Sequence, residues 1–240
     1  MSPTPWNGHL ARVYRDQGKY GEAEGLFKRA LSITENAKGA NHPDVAWTLT
    51  NLALLYWRQG RYGDAEALHK RALAIREQVL GESHPRVADV LNSLALVYWT
   101  QGKYSEAEGL YKRALAIVEK ALGANHRDVG RTLNNLALVY RDQGKYGEAE
   151  ALLRPALVIR QQALGTGHPL VALTLTNLAN VYRDQGNYGE AEGLYKRAQV
   201  IREQALGASH PEVAWGLSNM ALVYQDQGKY EEAEALFKPH

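Results

Sequence analysis

Five histidines stand 42 residues apart: His42, His84, His126, His168 and His210. Imidazole ligates metals and shuttles protons near neutral pH, so a periodic set raises both chemistries. Metal ligands, however, must converge on one point at about 2 Å. Equivalent residues of stacked helix pairs are roughly 10 Å apart, one helix diameter. Five evenly spaced histidines therefore form a row and no centre, and their expected role is packing and hydrogen bonding at a helix entry. Acids recur with bases four residues on: Glu24/Lys28, Glu66/Lys70, Glu108/Lys112, Glu150/Arg154, Glu192/Lys196 and Glu234/Lys238. That order stabilises a helix by about 0.2–0.5 kcal/mol per pair, and a solvated outer face is its expected setting. Paired-carboxylate catalysis needs two acids in one dry cleft with separated pKa values. No such pair stands out, and the sequence contains no Walker loop, GxSxG elbow or HExxH. The expectation is no catalytic residue, no metal site, no cofactor and no enzymatic activity.

The elements that carry these residues follow from the period. Gly18, Gly60, Gly102, Gly144, Gly186 and Gly228 keep the same step, as do Tyr20, Tyr62, Tyr104, Tyr146, Tyr188 and Tyr230. Each unit reads as two helices. Leu49, Leu52, Ala53 and Tyr56 fall at i, i+3, i+4 and i+7, one apolar stripe. Gly60 then supplies a left-handed stop. A second stripe runs through Ala65, Leu68, Ala72, Leu73 and Ile75 and ends near "LGESHP". Asn41, Ser83, Asn125 and Ser209 are the expected N-caps of the next first helices, with proline in the opening turn. The short link makes the two helices antiparallel neighbours. Ala53 and Ala65 are expected at the close crossing, with Tyr56 and Tyr62 in the wedge between pairs. One pair cannot bury both stripes, whereas stacked copies can.

The chain has 240 residues, 45% apolar and 22% charged, with net charge +2 and no cysteine. Disulfides and thiolate sites are excluded. The charge gives no strong field toward nucleic acid or membrane, and no basic stripe repeats, so nucleic-acid binding is not expected. No apolar run has the length of a membrane span. A cytoplasmic setting is expected.

Leu52, Ala53, Tyr56, Gly60, Tyr62, Ala65 and Ala72 match the tetratricopeptide-repeat pattern in type and spacing over essentially the whole chain. The phrases "NNLALVY", "GKYGEAE" and "ALGANH", in a 42-residue unit, resemble the kinesin light chain form of that repeat. The resemblance implies an all-α, right-handed superhelical solenoid of antiparallel helix pairs. It spans residues 1–240 as a single array of about six units, the first and last incomplete. It also implies a protein- or peptide-binding adaptor whose first helices line a concave groove. The alternative is a structural scaffold or self-assembling segment without its own peptide ligand. The uncapped ends, down to Lys238-Pro239-His240, would let copies associate.

On those first helices one position reads His9, Asn51, Ser93, Asn135, Asn177 and Asn219, amides suited to holding a peptide backbone. The alternative is that the asparagines bond across neighbouring helices. Six residues on, the row reads Arg15, Trp57, Trp99, Arg141, Arg183 and Gln225; four before, it reads Trp47, Asp89, Arg131, Leu173 and Trp215. Tryptophans are frequent interface anchors and arginine's planar fork suits carboxylates. The expected ligand is an extended peptide with aromatic residues near Trp47, Trp57 and Trp99 and acids near Arg131, Arg141 and Arg183. Asp142 and Asp184, next in sequence, would partly neutralise the last two. Three residues break the repeat: His69, read as a partly buried structural histidine; Pro155, expected to kink a second helix; and Gln199, read as a locally weaker helix.

Overall fold

The computed structural model describes residues 6–237, and side chains from residue 10 onward. It is built of helices: α1 (Trp6–Asp16), α2 (Tyr20–Lys38), α3 (Pro43–Arg58), α4 (Tyr62–Leu80), α5 (Pro85–Thr100), α6 (Tyr104–Leu122), α7 (Arg127–Asp142), α8 (Tyr146–Leu164), α9 (Pro169–Asp184), α10 (Tyr188–Leu206), α11 (Pro211–Asp226) and α12 (Tyr230–Ala235). Odd and even helices pack as antiparallel pairs, and each even helix packs on the next odd one within a unit, the arrangement of an α-solenoid. Contacts divide the chain into two compact units, Met1–Gly123 and Ala124–His240. Residues 238–240 lie outside the described residues. Among the described residues, no helix is long and apolar enough to cross a membrane.

The turn glycines do what the spacing predicts. Gly18, Gly60, Gly102, Gly144, Gly186 and Gly228 take φ between 73° and 80°, where a side chain would be strained. The next residue then donates its N–H to the tyrosine carbonyl five residues back, as Arg61 does to Tyr56 at 2.9 Å and Asn187 to Tyr182 at 2.8 Å. This is the Schellman closure.

The expected N-caps are corrected by one residue. His42, His84, His126, His168 and His210 cap the first helices: each Nδ1 accepts the backbone N–H two residues on, at 3.1–3.2 Å. The histidine row thus has the helix-entry bonding role expected of it. Asn41, Ser83, Asn125 and Ser209 each sit one residue too early for a short side chain to reach the orphan N–H groups.

In the first unit, Ala53, Ala65 and Leu52 are buried with Phe27 and Tyr56, and Val45, Leu49, Ala72 and Ile75 form a neighbouring cluster. In the second, Ala137, Ala149, Leu153, Ala179 and Ala191 are buried with Tyr182 and Tyr195, beside a cluster of Val171, Leu175 and Ala198. The alanines stand where two helices of a pair approach, and a larger side chain would separate them. Helix α8 runs its full 19 residues through Pro155, like its counterparts. Pro155 and Ala151 are both on the exposed face, where water can reach the carbonyl that proline leaves without a donor.

Candidate functional site

In the first unit, α3 touches both α1 and α5, so the first helices make one continuous face. Trp47, Trp57 and Trp99 all belong to it, each half-buried. The Trp57 indole N–H donates to Thr100 Oγ1 on α5 at 3.3 Å, which fixes the ring against its neighbour. The Asn51 amide is engaged at both ends: Nδ2 donates to the Trp47 carbonyl at 2.9 Å, and Oδ1 accepts from Arg15 at 3.4 Å. Arg15 is itself buried and ion-paired to Asp16 at 3.0 Å. His9 lies outside the residues whose side chains are described.

The second unit, taken by itself, carries arginines on α7 and α9 and an aspartate of α11 that meets one of them. Arg141 pairs with Asp142 at 3.0 Å and with Asp184 at 3.6 Å. Arg183 pairs with Asp184 at 3.3 Å and with Asp226 at 3.8 Å. The arginines therefore belong to an alternating ladder across the last turns of these helices, and an incoming carboxylate would exchange with an aspartate. Arg131 pairs with Asp128 at 3.4 Å, one turn away on its own helix. Asn177 is buried and donates to Asn134 Oδ1 on α7 at 3.0 Å, the cross-helix bond that competes with backbone holding. Asn135 is half-buried and accepts from Asn134 at 3.3 Å. The half-buried Asn219 keeps its Nδ2 without an acceptor among the described residues.

Three features escaped the sequence. The first concerns the repeated glutamates, which do not simply face solvent. Tyr56 donates its hydroxyl to Glu24 at 3.0 Å, Tyr98 to Glu66 at 3.3 Å, Tyr182 to Glu150 at 2.8 Å and Tyr224 to Glu192 at 3.1 Å. Each carboxylate clamps the next first helix while its Lys or Arg stays in water. The second is a set of buried guanidiniums behind the first helices. Arg160 donates to the Leu170 carbonyl and to Thr174 Oγ1, and burial, with the Arg131 charge nearby, pushes its pKa down to about 10. Arg202 reaches Thr176 Oγ1 at 2.7 Å and lies over the Trp215 ring, 5.0 Å from its centre. The third is Asn180, which stands where α3, α5, α7 and α11 carry leucine and accepts the hydroxyl of buried Tyr195. A departure from the period at position 180 was the one available signal.

The tetratricopeptide-repeat family model matches residues 2–78, 51–120, 86–162, 128–199 and 170–238. Solved structures are similar in fold. BtubC from P. vanneervenii is 24% identical, with TM-score 0.73, over 92% of this chain and 86% of that one. A putative kinesin light chain of Podosopora anserina with nearly identical TPR-like repeats is 27% identical, with TM-score 0.69, over 83% of this chain and 95% of that one. The apo form of RapI is 15% identical, with TM-score 0.72, over 97% and 94% of the respective chains, a likeness of fold alone. No curated protein matches the chain.

Proposed function

Since the chain belongs to the tetratricopeptide-repeat family, in its kinesin light chain-like form, we propose that it is an adaptor that binds an extended peptide of a partner protein on its first-helix face. Repeats of this family are in general protein-interaction modules. The observation that carries the reading is the set of half-buried indoles, Trp47, Trp57 and Trp99, on one continuous face of the first unit. Rigid aromatic rings of this kind lose little entropy on binding and are common anchors. The ligand's aromatic or apolar residues meet these rings. On the second unit, taken by itself, Arg131, Arg141 and Arg183 suit acids of a ligand by exchange with the aspartates already there. Asn51 and Asn177 act in the fold, so backbone holding rests on Asn135 and Asn219. The setting is cytoplasmic.

A peptide selection on the full chain tests this reading. Sequences rich in aromatic residues or in acids are expected to enrich. Trp57→Ala with Trp99→Ala should weaken a selected peptide about tenfold or more, roughly 1.4 kcal/mol. Arg141→Glu with Arg183→Glu should weaken it most at low salt, where exposed charge is least screened. Binding as tight as the parent's in both double variants would rule out this face. A scaffold reading draws on Trp215, Leu222, Tyr230 and Phe237, each 44–70% exposed on or beside α11 and α12. Sedimentation over a concentration series separates the two, because only the scaffold reading requires self-association.

A further inference from the structure

A second surface lies away from the first-helix face. Between α8 and α10 runs a groove of about 470 Å³, floored by Leu157, Val158 and Leu194. Val158 is 50% exposed. Gly193 lines the middle, with no atom within 4 Å of where a Cβ would stand.

The charges around this groove differ from those at the equivalent places in the first unit. There, Arg71 on α4 pairs with Glu35 on α2 at 2.5 Å, and Arg113 on α6 pairs with Glu77 on α4 at 2.7 Å. Each ion pair bridges successive second helices across 36 residues. Counting the same 36 back from Arg197 gives Gln161, not a glutamate. Arg197 is exposed and has no carboxylate partner among the described residues. Glu190 lines the same groove and has no cation within ion-pair distance among the described residues. Arg154, the remaining charge on the wall, is already held by Glu150 at 2.7 Å and by the Tyr182 hydroxyl.

We propose that the groove between α8 and α10 docks a partner segment carrying an acid and a base on either side of an apolar residue. The acid pairs with Arg197, the base pairs with Glu190, and the apolar side chain lies over Gly193 on the Leu157–Val158–Leu194 floor. Arg197 and Glu190 are seven residues apart on α10, roughly 10 Å along the helix. An extended chain advances ~3.3 Å per residue, so acid and base stand three positions apart. The broken ion-pair row leaves Arg197 and Glu190 exposed on one groove, a charge pattern that such a segment complements.

Two fluorescent dodecapeptides test this proposal, one with Lys-Ala-Leu-Glu and one with Glu-Leu-Ala-Lys at the centre of a Gly-Ser frame, against a scrambled control. Anisotropy with the full chain should show one order binding with Kd below about 1 mM and well above the control. Gly193→Met fills the groove from a Cβ that has no atom within 4 Å and replaces glycine with a better helix former, so binding should fall at least about tenfold without loss of thermal stability. Gln161→Glu restores the ion pair to Arg197; it should weaken the peptide while raising stability. Trp57→Ala with Trp99→Ala should leave this binding unchanged. Binding equal to the control, or unaltered in Gly193→Met, would overturn the proposal. It would also fail in its stated form if neither peptide binds and Gly193→Met abolishes self-association, because the occupant would then be a second copy.

Discussion

His69 shows how one residue sets a pH response. It occupies the place of Phe27 and Leu153, is 2% exposed, and its Nδ1 finds no partner among the described residues. Burial first, and the Arg76 charge second, push its pKa from 6.5 to about 4. Above pH 6.5 the folded and unfolded chains both hold a neutral ring, and stability is unaffected. Between 6.5 and about 4 the unfolded chain takes up a proton that the folded one refuses, so stability falls as pH falls. Below about 4 both forms are charged and the loss stops growing, at up to about 3 kcal/mol. His69→Leu should flatten urea stability between pH 6.5 and 4 and leave the lower pH range as it was. An unchanged slope in that window would show that His69 is not its source.

At the scale of elements, Gln199 on α10 is better explained by its partner than by a weak helix. Its equivalents Leu73 and Leu157 are apolar, and the residues facing them on the next first helices include Thr174. Where Gln199 appears, that facing residue is Gly216. A Cβ at 216 would lie 2.2 Å from Gln199 Oε1 and 2.9 Å from Arg202 Nη1. Glycine therefore makes room for the longer amide. Arg202 in turn lacks the hydroxyl that Arg160 finds on Thr174 at 2.6 Å and bonds Thr176 instead. Gly216→Thr alone should destabilise by about 1–3 kcal/mol through overpacking. Adding Gln199→Leu should recover most of that, because the introduced threonine would then offer Arg202 its hydroxyl. Denaturant unfolding of the four chains forms the cycle; additive effects would refute the coupling.

Helix number, pairing and the left-handed stops were legible because each rests on neighbours within a few residues. Gly60 ends α3 and Ala53 meets Ala65 for reasons contained in one unit. The Tyr–Glu clamps were not legible, because Tyr56 and Glu24 are 32 residues apart and helical spacing relates only residues of one helix. The candidate face was half legible. Trp47, Trp57 and Trp99 lie half-buried on first helices, and the buried Asn177 shows that residue type alone does not separate a ligand contact from a bond to the adjoining helix. The aspartates beside Arg141 and Arg183 gave warning in the sequence, and the ladder they form needed the neighbouring helix to complete it.

For the molecule as a whole, repetition makes stability a sum of pairs and of the contacts joining them. Within Met1–Gly123 the Tyr98–Glu66 clamp joins α5 to α4, and Glu66 also meets Lys70 at 2.7 Å and Lys103 at 3.2 Å. The Lys70 bond first, then Lys103, hold the Glu66 carboxyl down at about 2 against the burial that opposes them. Glu24 and Glu192 are lowered in the same way by Lys28 and Lys196, and at Glu150 the Tyr182 and Arg154 bonds outweigh burial. A depressed carboxylate gives stability that is complete above pH 4.5 and is lost as pH falls toward about 2. Acid should therefore loosen the joints between pairs below the window in which His69 acts. Glutamine mimics the protonated acid, so Glu66→Gln should cost about 1 kcal/mol at pH 7, the ammonium partners being partly in water. The parent and Glu66→Gln curves should converge as pH falls from 4.5 to about 2. Because one joint is weakened and no helix is removed, hydrogen exchange at pH 7 should speed up most where α5 meets α4. A stability difference that stays constant across that pH range would show that the Glu66 charge does not hold the joint.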